Sequence, residues 1–176
     1  MKDASASVFI VPGQTKSPGA PLQHGPFQPE TAVPLTEKLL ILAIAAQIFL
    51  AFAILILMGR ERVPRVLRGE IAMADIAVDR SAYPLRARLL SNSLDNQFQL
   101  PVLFYVAGLL FIHFGAVGWV EVALGWIFVA SRIIHALIHV TTNDVPTRFA
   151  AYSVGLAVLA LFWLWLLVRL LLLPSI

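Results

Sequence analysis

The stretch YPLRARLLSNSLDNQFQLPVLF, residues 83–104, decides how this chain is read. It starts basic and polar, turns apolar, and carries no turn signal before Pro101. Read as one helix, Arg88, Asn92, Asn96 and Gln99 fall at offsets of 0, 4, 8 and 11 residues and share a face. The apolar run that continues it, residues 100–114, is too short to cross a bilayer alone, since a crossing takes about 20 residues. The crossing therefore has to include the polar residues upstream. Amide and charged side chains are costly in hydrocarbon, so they must face protein or a wet cavity. The stretch predicts a polar site inside a membrane bundle.

The rest of the chain agrees with a membrane setting. Of its 176 residues, 59% are hydrophobic and only 13% charged, with a mean hydropathy of +0.83. That composition lies outside the soluble globular range and indicates an integral membrane protein. The formal charge is only +3, and ten of the 13 basic residues are arginines. Most of them lie between the first two apolar segments, where they suit headgroup contact and orientation rather than nucleic-acid binding. The chain has no cysteine, which excludes disulfides, thiolate metal sites and a thiol nucleophile of its own. A thiol brought by a ligand is not excluded.

Residues 1–34 hold six of the eleven prolines and read as a disordered or extended tail. The remainder, residues 35–176, reads as a four-helix membrane domain with spans near residues 38–58, 86–114, 119–140 and 147–173. Gln47 is the lone polar residue inside the first span, and an interhelical hydrogen bond worth about 1 kcal/mol accounts for it. Pro64 and Pro84 punctuate the loop that follows, and residues 69–77 predict a short surface helix. Seven cations lie between the first two spans and none in the loop at residues 114–119. The positive-inside rule then places the arginine-rich loop in the cytoplasm and both termini outside. Asn143 or Asp144 is the expected cap of the fourth span, with Pro146 in its first turn.

This topology gathers polar residues from three spans at the cytoplasmic end. They are Arg86, Arg88, Asn92, Asp95, Asn96 and Gln99 on the second span, Ser131, Arg132, His135 and His139 on the third, and Arg148 and Tyr152 on the fourth. Arg132, His135 and His139 are spaced by three and four residues and share a helix face, and Arg148 and Tyr152 are one turn apart. At the opposite end only Glu121 and His113 stand out, and an interfacial position accounts for both. Taken singly, each polar residue has a structural explanation, such as a lipid-phosphate contact for Arg148. Packing has no use for so many at one depth, because each unpaired buried group costs on the order of 1–3 kcal/mol. A polar anionic ligand would satisfy them, and the arginine fork suits a carboxylate.

At these residues the chain resembles the MAPEG family, the membrane-associated proteins of eicosanoid and glutathione metabolism, and most of all its bacterial members. The resemblance covers roughly residues 40–172 and rests on DNQFQLPVLFY at 95–105, RIIHALIH at 132–139, and Arg148. It implies an all-α, four-helix subunit that assembles as a homotrimer in the bacterial inner membrane, with glutathione as co-substrate between neighbouring subunits. Asn96 matches the family's helix-two asparagine, and Gln99 stands where many animal members carry glutamate. Arg132 and His135 match positions that line the glutathione pocket, and His139 stands where tyrosine is common. Arg148 aligns with the arginine proposed to stabilise the glutathione thiolate, Tyr152 with an aromatic one turn further, and Arg88 with a helix-two arginine in a shifted register.

The function implied is glutathione-dependent conjugation or peroxide reduction on a lipophilic electrophile that arrives through the bilayer, with Arg148 as the catalytic residue. A second class stays open: a non-catalytic accessory or lipid-binding subunit of a larger membrane assembly, favoured by the departures at Gln99 and His139 and by the tail. A third is a metal or haem protein using the His135–His139 pair, although its remaining ligands are not identified. A transport role finds no inverted repeat to support it.

Overall fold

Proline and glycine positions set the element boundaries in the computed structural model, which describes residues 32–77 and 79–172. The expected proline-rich tail lies almost entirely outside the described residues. Helix α1 spans Leu35–Leu67, 33 residues or about 50 Å, well beyond the roughly 30 Å of a hydrocarbon core. It passes through Pro64 instead of stopping there. The carbonyl that Pro64 leaves without a partner is that of Arg60, past the apolar stretch, where water can serve it. Gly69, at φ +72°, ends the helix in the left-handed conformation, and the Glu70 amide closes on the Arg65 carbonyl at 2.9 Å. The surface helix expected over residues 69–77 shrinks to one 3₁₀ turn, Met73–Ile76.

The second apolar segment departs further from expectation. It is two helices, α2 over Leu85–Gln97 and α3 over Leu100–His113, interrupted at Phe98 and Gln99. The cause is Pro101, which has no N–H for the Gln97 carbonyl, and whose ring crowds that same carbonyl. Proline also disfavours a helical conformation at the preceding residue. Helices α4 (Trp119–Val140) and α5 (Val145–Leu172) complete the chain. Helices α1, α4 and α5 are each long and apolar enough to cross a membrane. With its 14 residues, α3 reaches only about 21 Å.

The core is aromatic. Phe104 of α3 meets Phe128 of α4 at 4.8 Å and Phe162 of α5 at 5.7 Å between ring centroids, and Phe111 meets Phe162 at 5.0 Å. Small residues let the helices close on these rings. A Cβ at Gly155 would stand 2.8 Å from the Ser131 hydroxyl, and one at Gly125 3.1 Å from Leu40. Both glycines therefore mark close approach of their helices.

At the end of the bundle that holds Leu35, Trp119 and the last turns of α5, side chains stitch loop to helix. Thr36 Oγ1 donates to the Val117 carbonyl at 2.9 Å, and an Arg169 Nη2 donates to the Ala116 carbonyl at 3.2 Å. Glu121 was expected at the interface but is only 2% exposed. It accepts from the Gly118 amide at 2.8 Å and from the Trp165 indole at 2.7 Å, with Arg169 Nε at 3.9 Å. These partners make burial of the carboxylate affordable, and they fix the geometry of the α3–α4 turn.

Candidate functional site

The opposite end holds the start of α2, the end of α4 and the start of α5, as the order of spans implies. The α4–α5 turn is built by two adjacent residues. Asn143 takes a left-handed backbone (φ +50°), which asparagine tolerates, and its amide closes on the Ile138 carbonyl at 2.7 Å. Asp144 then caps α5, accepting from the Thr147 amide at 3.0 Å. Hydrogen bonds from the Thr147 side chain and amide hold the Asp144 carboxyl below the usual carboxylate range. Asn143 Oδ1 also accepts from Arg148 Nη1, so the turn that starts α5 aims that guanidinium.

Above this turn lies a cavity of about 230 Å³ lined by Asn96, His135, His139, Val145, Arg148, Phe149 and Tyr152. Arg132, 0% exposed, is packed behind this lining against Asn96 and Tyr152. One Arg132 Nη2 donates to the Asn96 carbonyl at 3.0 Å, and its guanidinium carbon lies 5.8 Å from the Tyr152 ring centroid. That carbonyl is available because the α2–α3 break removes its helical partner. Arg132 Nε and Nη1, His135 Nδ1 and His139 Nδ1 are buried without hydrogen-bond partners. The two imidazoles stand 5.8 Å apart at 83°, and His135 is 5.8 Å from Tyr152.

Charge decides what this cavity suits. Two guanidiniums are in or beside it and no carboxylate lines it. Arg132 makes no ion pair among the described residues. A buried arginine stays charged, and a buried charge without a counter-charge is strongly unfavourable. An anionic guest removes that penalty and uses the free donors. A metal cation would be repelled by the same guanidiniums, and among the described residues no three His, Cys, Asp or Glu side chains come together as ligands.

Of the residues singled out from sequence, Asn96, Arg132, His135, His139, Arg148 and Tyr152 are brought together. Arg88 and Gln99 are not. Gln99 is exposed at the helix break, and Arg88 is exposed on a separate groove with Asp79, Arg80 and Asn92. Of the shared face expected for Arg88, Asn92, Asn96 and Gln99, the first three keep their spacing within α2, on its side away from the buried face, and the helix break takes Gln99 out of register. The buried face of α2 is Ala87, Leu90, Ser91, Ser93 and Gln97.

Gln97 escaped the reading of the sequence, and it is 1% exposed. Gln47 Nε2 donates to Gln97 Oε1 at 2.9 Å, and Gln97 Nε2 to the Ser93 carbonyl at 3.2 Å. The interhelical bond expected of Gln47 therefore exists, and Gln97 is its partner. The i, i+4 spacing of Ser93 and Gln97 was the available signal, and Pro101 explains why it outweighs the spacing to Gln99.

The model of the family described as MAPEG matches residues 40–168. No curated protein and no solved structure matches the chain.

Proposed function

The chain belongs to the MAPEG family, and from that membership we propose that it is a glutathione-dependent transferase or peroxidase acting on a lipophilic electrophile. The family includes glutathione transferases and peroxidases among other members, and generally uses glutathione. The observation that carries the reading is Arg132, fully buried with two guanidinium nitrogens unpartnered beside a cavity lined by amide, imidazole, guanidinium and aromatic groups and by no carboxylate. Glutathione has two carboxylates, amide groups and a thiol, so its chemistry fits these residues.

In this reading Arg132 binds a carboxylate, Asn96, His135 and His139 serve the remaining polar groups, and Tyr152 closes the wall. Arg148 is the catalytic residue. Its guanidinium favours the thiolate over a thiol whose ordinary pKa is about 8.5, and the thiolate is the nucleophile. The sulfur bonds to the electrophilic centre as the leaving group departs. Asn143 orients Arg148 for this task from outside the cavity.

The assembly belongs to the same proposal. Helices α2 and α3 together form the second of four spans, the arginine-rich loop faces the cytoplasm, both termini lie outside, and the membrane is a bacterial inner membrane. Three copies associate, and Arg88 and Gln99, outside the cavity of their own protomer, are presented to a neighbour. The second reading, an accessory or lipid-binding subunit, is favoured by Gln99 and His139 standing where related proteins carry glutamate and tyrosine.

Thermal unfolding of the full chain in mild detergent separates the two. Glutathione at 100 times its Kd should raise apparent stability by about 2.7 kcal/mol, and Arg132→Met should abolish the effect. Arg148→Ala should slow conjugation of a chromogenic electrophile by on the order of a hundredfold while leaving helicity intact. Unchanged turnover in Arg148→Ala would remove this residue from the chemistry. Absence of any glutathione effect on the unaltered chain would leave the accessory reading.

A further inference from the structure

A second cavity, of about 310 Å³, lies where α1 runs past its apolar stretch and leans over the loop that follows. Met58, Val63 and Val66 of α1 form one wall, and Met73 and Ile76 of the 3₁₀ turn form the other. Its volume is at the small end of the range for ligand pockets and suits one alkyl chain better than a broad ring system. One charged group lines it. The Arg62 guanidinium carbon sits 4.1 Å from the centroid of the buried Tyr83 ring. Stacking occupies the face of the guanidinium and leaves its N–H edge for a planar anion.

Most of the neighbouring arginines are paired, and of those without an ion pair among the described residues (Arg60, Arg62 and Arg88) only Arg62 lines the groove. Arg65 pairs with Glu61 and Glu70, Arg68 with Glu70, Arg86 with Glu61, and Arg80 with Asp95. Arg62 has no carboxylate partner among the described residues, and its one hydrogen bond goes to the weak acceptor Met58 Sδ at 3.7 Å. Met58 is also where the apolar stretch of α1 gives way to arginines. The groove therefore opens near the level at which a hydrocarbon core would end if α1 crosses the membrane by its apolar stretch. An apolar trough with a free guanidinium is complementary to one chemistry.

We propose that this groove binds a single-chain anionic amphiphile of the long-chain fatty-acid class, with its alkyl chain between α1 and the 3₁₀ turn and its carboxylate on Arg62. The site shares no residue with the Arg132 cavity, so it stands or falls independently of the proposed chemistry there.

Equilibrium binding of radiolabelled palmitate to the full chain in phosphatidylcholine nanodiscs, with empty nanodiscs subtracted, tests it. Saturable binding to one site per chain is expected, with hexadecanol a poor competitor. Arg62→Gln should weaken palmitate at least tenfold, whereas Arg60→Gln, which alters an exposed arginine outside the groove, should not. Val66→Trp and Ile76→Trp fill the groove from opposite walls and should each abolish binding, so one misfolded variant, detected by circular dichroism, leaves the other. The proposal is overturned if uptake does not saturate, if hexadecanol competes equally, if Arg62→Gln binds normally, or if a folded tryptophan variant retains binding.

Discussion

The pair formed by Gln47 and Gln97 shows what one side chain contributes in this bundle. Each glutamine is buried, and each would orphan a polar atom if its partner were removed. In membranes such bonds average about 0.6 kcal/mol and reach about 1.7. A double-mutant cycle with Gln47→Leu and Gln97→Leu, measured by reversible unfolding in mixed micelles, should return a coupling in that range. The double variant should be closer to the unaltered chain than the sum of the single losses. Zero coupling would mean that the two amides are served by other partners. Arg132 is the opposite case, a buried charge with no counter-charge among the described residues, which suits binding rather than stability. Substitution by methionine should leave the ligand-free protein as stable or more so, on the order of 1 kcal/mol, while the glutathione response disappears. A large loss of ligand-free stability would instead make Arg132 a structural brace for the Asn96 carbonyl.

Two elements carry the site. The first is the α2–α3 break, which exposes the Asn96 carbonyl to Arg132. Pro101→Ala restores the missing N–H, so hydrogen exchange at residues 98–103 should slow as the two helices merge. Asn96 should then turn from the cavity, and glutathione should stabilise the variant less than the parent. Unaltered exchange would place the cause of the break in the packing rather than in the proline. The second element is the α4–α5 turn, capped by Asp144. Its carboxyl is held below the usual range, so its ionised form stabilises the fold. That contribution is complete above the unfolded value of about 3.9 and is lost as pH falls through the lower folded value. The melting temperature of the parent minus that of Asp144→Asn should therefore be constant above about pH 5 and shrink on acidification. A difference that grows on acidification would contradict the cap.

At the scale of the molecule, three helices qualify as spans by length and apolarity, and the fourth of the proposed topology would be assembled from two shorter ones. Whether α2 and α3 cross together is open to a direct test, because the chain has no cysteine. Single variants Glu70→Cys, Phe114→Cys and Thr142→Cys, probed with a membrane-impermeant maleimide in oriented vesicles, should label from two sides. Residues 70 and 142 should share one side and residue 114 the other. Labelling of residues 70 and 114 from one side and residue 142 from the other would make α2 and α3 a re-entrant pair and remove the four-span proposal.

Composition and hydropathy alone determined the membrane setting, the helical class and the end of the chain order at which polar groups from three helices gather. These follow from solvent preference summed over long segments, which no detail of packing reverses. Six of the eight site candidates read from sequence lie together for the same reason, since connectivity brings their helix ends to one level. Gln97, Glu121 and the failure of Arg88 and Gln99 to join the cavity were decided by tertiary structure. Rotation of a helix about its axis is set by its neighbours, and a proline that breaks the helix shifts which side chains face them. A sequence read as one uninterrupted helix carries the wrong rotation across that point, and only packing reveals which glutamine is buried.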